Sequence, residues 1–146
     1  MEELFISQAI LSKINLPEGI FIRSFIEGDF TSIQKLYETE GWMTAVKRPE
    51  DSLKAWKNST IALVAVEGEN IVGLVRALTD GEVTTYIAEL LTDRAYRGKG
   101  LGKALIDTCH SLYPHTRLDL LSTEAADEFY MSNGFKESRG FRKSYI

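Results

Sequence analysis

Three β-rich runs follow in succession between Thr60 and Asp93, "TIALVAVEGENIVGLVRALTDGEVTTYIAELLTD", and they constrain the fold more than any other stretch. Glu67-Gly68-Glu69-Asn70 and Asp80-Gly81 separate them, and both are turn chemistry. Parallel neighbours would need crossovers of a dozen residues or more, so runs this close are expected to fold back as an antiparallel meander. Upstream, "GIFIRSF" at Gly19 to Phe25 alternates as a strand. In "EGDFTSIQKLYETEGW", Ile33, Leu36 and Tyr37 recur at helical spacing behind an N-cap at Asp29 or Thr31. A further helix is predicted from Pro49 to Lys57, with proline in its first turn and Glu50 and Asp51 at the positive end of its dipole.

After the meander comes "RAYRGKGLGKALIDTCHSL", whose first ten residues hold three glycines and four cationic side chains. Leu101, Ala104, Leu105, Thr108 and Leu112 then mark one helix face, which Pro114 helps to end. "TRLDLL" reads as a short strand and "TEAADEFYMSNG" as a helix closed by Asn133-Gly134. A strand pair from "GFKESRGFRKSYI" is expected to finish the chain. Composition fits one domain over residues 1–146, with an extension over about 1–18 and a core over about 19–146: 44% of the residues are hydrophobic, enough for one substantial core.

Several function classes are excluded at this point. A formal charge of -4 gives no footprint for a long polyanion, so nucleic acid is not expected as a partner. No apolar run reaches membrane-span length, and the acidic start of "MEELFISQAILSKINLPEG" is unlike a secretory leader, so no membrane partner is expected. The single cysteine, Cys109, cannot form an internal disulfide, which fits a cytoplasmic protein. No cysteine and histidine cluster has metal-ligand spacing, so no metal is expected.

The glycine-rich turn points to a ligand. Glycine admits close backbone approach, and a helix N-terminus offers unpaired N–H groups with about half a positive charge. Such a turn suits phosphate. Arg94, Arg97, Lys99 and Lys103 add local positive charge to an acidic chain, which fits a small polyanion. A P-loop would require glycine at Arg97 and Ser or Thr at Ala104; a dinucleotide fingerprint from Gly98 would require glycine at Lys103. Neither template fits.

What fits is Arg-x-x-Gly-x-Gly over Arg97, Gly100 and Gly102, placed after the third strand of a meander and before a helix, with "FYMSNGF" at Phe129 to Phe135 downstream. On these motifs, and over about residue 19 to the C-terminus, the chain resembles the GCN5-related N-acetyltransferase (GNAT) family. The resemblance implies an α/β (α+β) fold: a mixed, mostly antiparallel sheet of six to seven strands flanked by about four helices. It implies transfer of an acetyl group from acetyl-CoA to a primary amine of a small molecule or protein, by direct attack through a tetrahedral intermediate. The turn over Arg97, Gly98, Lys99, Gly100, Leu101, Gly102 and Lys103 would cradle the pyrophosphate. Backbone groups of Leu90, Leu91 and Thr92 would pair with the pantetheine arm, and a backbone N–H near Leu91 would face the oxyanion. Tyr130 is the implied acid toward the coenzyme sulfur. Glu89, an acid inside an apolar strand, is a candidate to take a proton from the substrate ammonium or to hold that cation. Tyr37 and Trp42, with Met43, are expected on the acceptor wall. A non-catalytic acyl-CoA-binding module of the same fold is the alternative, and monomer and homodimer both stay open.

The chain departs from the family pattern twice. Asp93-Arg94-Ala95 stands where proline is common before the basic turn, and Ser122-Thr123-Glu124 where an asparagine is common; a hydroxyl of Ser122 or Thr123 could take over that contact.

Overall fold

The computed structural model describes residues 6–145. In chain order its regular elements are α1 (Gln8–Leu11), β1 (Ile20–Ser24), α2 (Phe30–Glu40), α3 (Met43–Lys47), α4 (Pro49–Asn58), β2 (Ile61–Glu67), β3 (Asn70–Thr79), β4 (Thr84–Thr92), α5 (Leu101–Leu112), β5 (Arg117–Leu120) and α6 (Asp127–Ser132). Single 3-10 turns precede α2, α5 and α6. The strands form one sheet in the order β1-β2-β3-β4-β5. The first four are antiparallel, as the meander predicts, and β5 lies parallel to β4 because α5 provides the crossover.

Each sheet face has its own helical layer. Leu101, Leu105 and Cys109 of α5 pack on Ile61, Leu63, Val75 and Ile87. Ile33, Leu36 and Tyr37 of α2 and Trp56 of α4 pack on Val64, Leu74 and Leu91 across the sheet. Both apolar stripes were readable from helical spacing. Burial pushes the Cys109 thiol up to about 12, so in the folded chain it stays protonated and acts as a small apolar core group.

Five strands are present among the described residues, fewer than the six to seven expected, and no strand forms after α6. Between Phe135 and Phe141 the chain reads Lys-Glu-Ser-Arg-Gly, leaving no apolar alternation to hold a sheet face; Phe141 stays 84% exposed. The helix expected across "TEAADEFYMSNG" is a 3-10 turn over Glu124–Ala126 followed by the six residues of α6. Its predicted closure at Asn133-Gly134 is present, with the Phe135 N–H donating to the Tyr130 carbonyl at 3.1 Å. Asp29 does precede α2, but its carboxylate takes two hydrogen bonds from Arg23, both 2.8 Å, and one from the Ile26 N–H; it ties β1 to the helix entry and makes no side-chain cap.

Gly73 of β3 lets α5 lie close to the sheet. A Cβ there would come within 3.2 Å of Leu105, 3.3 Å of Leu101 and 3.4 Å of the Leu91 carbonyl oxygen. Both leucines are fully buried and the carbonyl belongs to the sheet, so the surroundings cannot easily yield. Gly73→Ala is therefore expected to destabilise the chain by about 1–2 kcal/mol, read as a fall of several degrees in the thermal unfolding midpoint. An unchanged or raised midpoint would refute this packing account.

Candidate active site

The parallel pairing of β4 with β5 runs from Thr84↔Arg117 to Ile87↔Leu120 and stops there. β4 continues to Thr92 paired with β3 alone, so its other edge from Ala88 onward has no strand partner among the described residues. The register against β3 also slips at this point: Arg76 faces Glu89, whereas Ala77 faces Ile87, leaving Ala88 as an extra residue. This bulge reverses the alternation of β4. Ile87 and Leu90 turn to the α5 face, while Glu89 and Leu91 turn to the face of α2 and α4.

On that second face a polar cluster surrounds Glu89. The Tyr37 hydroxyl donates to Glu89 Oε2 at 2.6 Å and accepts from Trp56 Nε1 at 2.7 Å. Arg76 pairs with Glu89 Oε1 at 3.3 Å and reaches Ser59 Oγ at 3.3 Å, and Ser59 in turn donates to the Ala55 carbonyl. The Arg76 Nε is buried without a partner. Tyr37 is 0% exposed; burial first, then the negative charge of Glu89, push its pKa well above the usual 10. Trp42 stacks over the Tyr37 ring at 5.8 Å and Met43 beside it is exposed. Of the residues expected on an acceptor wall, Trp42 and Met43 are thus the accessible ones, and Tyr37 stands behind them with its hydroxyl on Glu89.

Tyr130 occupies the other side. It packs with the α5 face, edge-on to Phe129 at 5.1 Å and to Phe135 at 5.5 Å, and burial raises its pKa. Glu89 and Tyr130 thus belong to opposite faces of the sheet. The partners of the Glu89 and Tyr37 cluster, Arg76, Trp56 and Ser59, were missed in the sequence. The available signal was one arginine in the apolar run "IVGLVRAL" beside a run with one glutamate, which pairing would bring together.

At the far end of β4 lies the glycine turn. Gly98 and Gly100 have φ of 78° and 86°, with open space where a Cβ would stand. Their requirement is conformational. Gly102 is different: a Cβ there would meet the Phe129 ring at 2.9 Å, so its bare backbone lets α6 pack on the start of α5. Asp93, where the family often has proline, caps the turn through the Ala95 N–H at 2.9 Å. All four cations of the turn have local partners. Arg97 Nη2 donates to Glu40 at 2.6 Å and to the Thr92 carbonyl at 3.3 Å, and Arg94 lies 3.8 Å from the same Glu40 oxygen. Lys99 sits over the Tyr96 ring at 5.4 Å, and Lys103 bonds Asp107 at 2.6 Å. Ser122 spends its hydroxyl on the Thr123 carbonyl, at 2.8 Å. Among the described residues no group of acidic, histidine and cysteine side chains could hold a metal ion, and no helix is long and apolar enough to cross a membrane.

The family model for the acetyltransferase (GNAT) domain matches residues 58–137, which span β2 through α6. The chain belongs to the GNAT family. Among related sequences, the GNAT chain is 31% identical over 134 residues to histone acetyltransferase TAP1 from Glycine max, covering 82% of this chain and 57% of that protein. It therefore spans a little over half the length of that relative. A GNAT-family acetyltransferase from Streptococcus pneumoniae superposes with a TM-score of 0.69 at 22% identity, over 86% of this chain and 96% of that one. An aminoglycoside acetyltransferase from an uncultured soil metagenomic sample, solved with trehalose, gives 0.68 at 22% identity, over 88% and 96%. These structures share the GNAT fold.

Tyr37→Phe tests the polar cluster. It would leave the buried Trp56 N–H without its acceptor and Glu89 Oε2 without its tyrosine donor, at a cost of about 1–3 kcal/mol. There is also a pH signature. Tyr37 keeps its proton in the folded chain where an unfolded tyrosine loses it near pH 10. Its contribution is thus complete below about pH 10 and lost as pH rises beyond that. Denaturant unfolding from pH 8 to 11 is expected to show a shallower alkaline decline for Tyr37→Phe; parallel curves would contradict the assignment.

Proposed function

We propose that this chain is an acetyl-CoA-dependent N-acetyltransferase acting on a primary amine of a small molecule or protein. One observation carries the reading: the edge of β4 beyond Ile87, without a strand partner among the described residues, leads directly to a turn whose two left-handed glycines stand in open space at the N-terminus of α5. A ligand with an amide-bearing arm and a pyrophosphate fits both features together. Acetyl-CoA supplies the acyl group, held as a thioester.

The remaining work falls to the protein. Backbone groups of Leu90, Leu91 and Thr92 hold the arm along β4, with the Thr92 carbonyl shared with Arg97. Gly98, Lys99, Gly100, Leu101, Gly102 and Lys103 meet the phosphates with backbone N–H groups and positive charge. A backbone N–H near Leu91 polarises the reacting carbonyl. Glu89, held by Tyr37 and Arg76, presents negative charge toward the acceptor ammonium and takes its proton, through water, to free the neutral amine that then attacks. Tyr130 delivers a proton to the departing thiolate; its half-buried phenol remains protonated at neutral pH and so is in the correct form to act. Trp42 and Met43 form the accessible acceptor wall.

Thermal unfolding with and without acetyl-CoA, with ATP as control, tests the ligand. At about a hundred times its dissociation constant the true ligand adds about 2.7 kcal/mol and raises the midpoint by several degrees. A rise with acetyl-CoA alone is expected; no rise would remove the reading. A rise with no free coenzyme A released across an amine panel would favour the non-catalytic acyl-CoA-binding module instead. Once turnover is found, Tyr130→Phe is expected to lower kcat about a hundredfold while leaving acetyl-CoA binding unchanged. A full rate in that variant would exclude the acid role.

A further inference from the structure

The carboxylate of Glu40 lies far from the glycine turn in sequence, yet it is the side chain that holds the arginine of that turn. Glu40 is the last residue of α2, and its Oε2 accepts from Arg97 Nη2 at 2.6 Å across 57 residues of chain. The end of α2 that carries the carboxylate is fixed. Ile33, Leu36 and Tyr37 anchor α2 in the core, and the turn at Gly41 closes with the Trp42 N–H on the Tyr37 carbonyl at 2.8 Å. Only 25% of the Glu40 side chain is exposed, against 44% for Arg97.

Nothing in the family motif requires this contact, and two roles for it can be imagined. The carboxylate could block the guanidinium until phosphate displaces it, or it could hold the guanidinium in place for phosphate. The bonding pattern separates them. Glu40 and the Thr92 carbonyl both use Nη2, so a single nitrogen carries the anchoring. The Nε–H and both Nη1 hydrogens have no partner among the described residues. A blocking carboxylate would be expected to take the bidentate fork that phosphate also prefers. Here the fork is not taken. Arginine also carries much rotamer freedom, which an anchored side chain has already lost before a ligand arrives. Glu40 further lies near Arg94, so one negative charge offsets the repulsion of two cations gathered at the turn.

We propose that Glu40 is a positioning residue for the phosphate site: it fixes Arg97 with its free N–H groups turned toward the pyrophosphate of the acyl donor. The inference rests on the acetyl-CoA reading above and adds to it a residue from the acceptor-side helix.

The test is direct titration of coenzyme A into the wild type, Glu40→Gln, Arg97→Ala and the double variant, with the unfolding midpoint of each protein recorded. Coenzyme A is expected to bind Glu40→Gln about three- to tenfold more weakly than wild type, and Arg97→Ala more weakly still. The double variant should match Arg97→Ala, because Glu40 acts through Arg97 and has nothing to position once the guanidinium is gone. Equal or tighter binding by Glu40→Gln would overturn the proposal, tighter binding meaning that the carboxylate competes with phosphate. Additive losses in the double variant would also overturn it, since Glu40 would then act independently of Arg97. If the wild type itself fails to bind coenzyme A, the acetyl-CoA reading falls and this inference with it; if the wild type binds and Glu40→Gln binds equally, only this inference falls.

Discussion

Parallel pairing between β4 and β5 covers four positions and then ends, while β4 runs five residues further beside β3. A strand in the middle of a sheet normally satisfies its backbone on both sides, and leaving one side open has a cost unless something completes it. The extra residue at Ala88 coincides with the opening, and it decides which side chains face which layer. Without it, Glu89 would share a face with Ile87 and be driven into the apolar packing against α5. With it, the carboxylate turns to the side where a hydroxyl and a guanidinium receive it. One inserted residue therefore decides which face the charged group takes, at the position where the edge opens.

The cluster around Glu89 links two helices of its layer to the sheet. Tyr37 comes from α2, Trp56 from α4, Arg76 from β3 and Glu89 from β4, and the Tyr37 oxygen bridges the indole and the carboxylate. Buried polar groups are tolerable when each finds a partner, and apart from Arg76 Nε these do. Because the tyrosine ring also lies beneath Trp42, the same side chain supports the charged residue and the accessible aromatic one.

Much of this was legible in the sequence, for identifiable reasons. The meander rests on turn chemistry and alternation, which are local, and the helix faces rest on spacing, which is also local. The glycine turn was readable because its residues are consecutive. The strand pair after Gly134 was misread because a few aromatics among charges imitate alternation without supplying a face to bury. Tyr37 shows a different limit: helical spacing places it toward the core but cannot tell a side chain that lines a gap from one that stands behind it. The pairing of Arg76 with Glu89 depends on a register that the Ala88 bulge alters, and the contact of Glu40 with Arg97 depends on where two distant elements come to rest. The lone arginine and lone glutamate in neighbouring apolar runs hint at the first contact, and nothing local marks the second.

The missing side chain at Gly73 has a geometric meaning beyond packing. It lies opposite Thr92, at the end of β4, and directly beneath Leu101, the first residue of α5. A hydrogen atom there sets the height of the helix start above the sheet, and with it the separation between the amides of the glycine turn and the bare edge of β4. Any molecule that grips both must have a matching distance between its anionic end and its amide-bearing arm. For a ligand of the proposed kind the fold would then be a caliper, sorting candidates by length before the chemistry at either end is consulted.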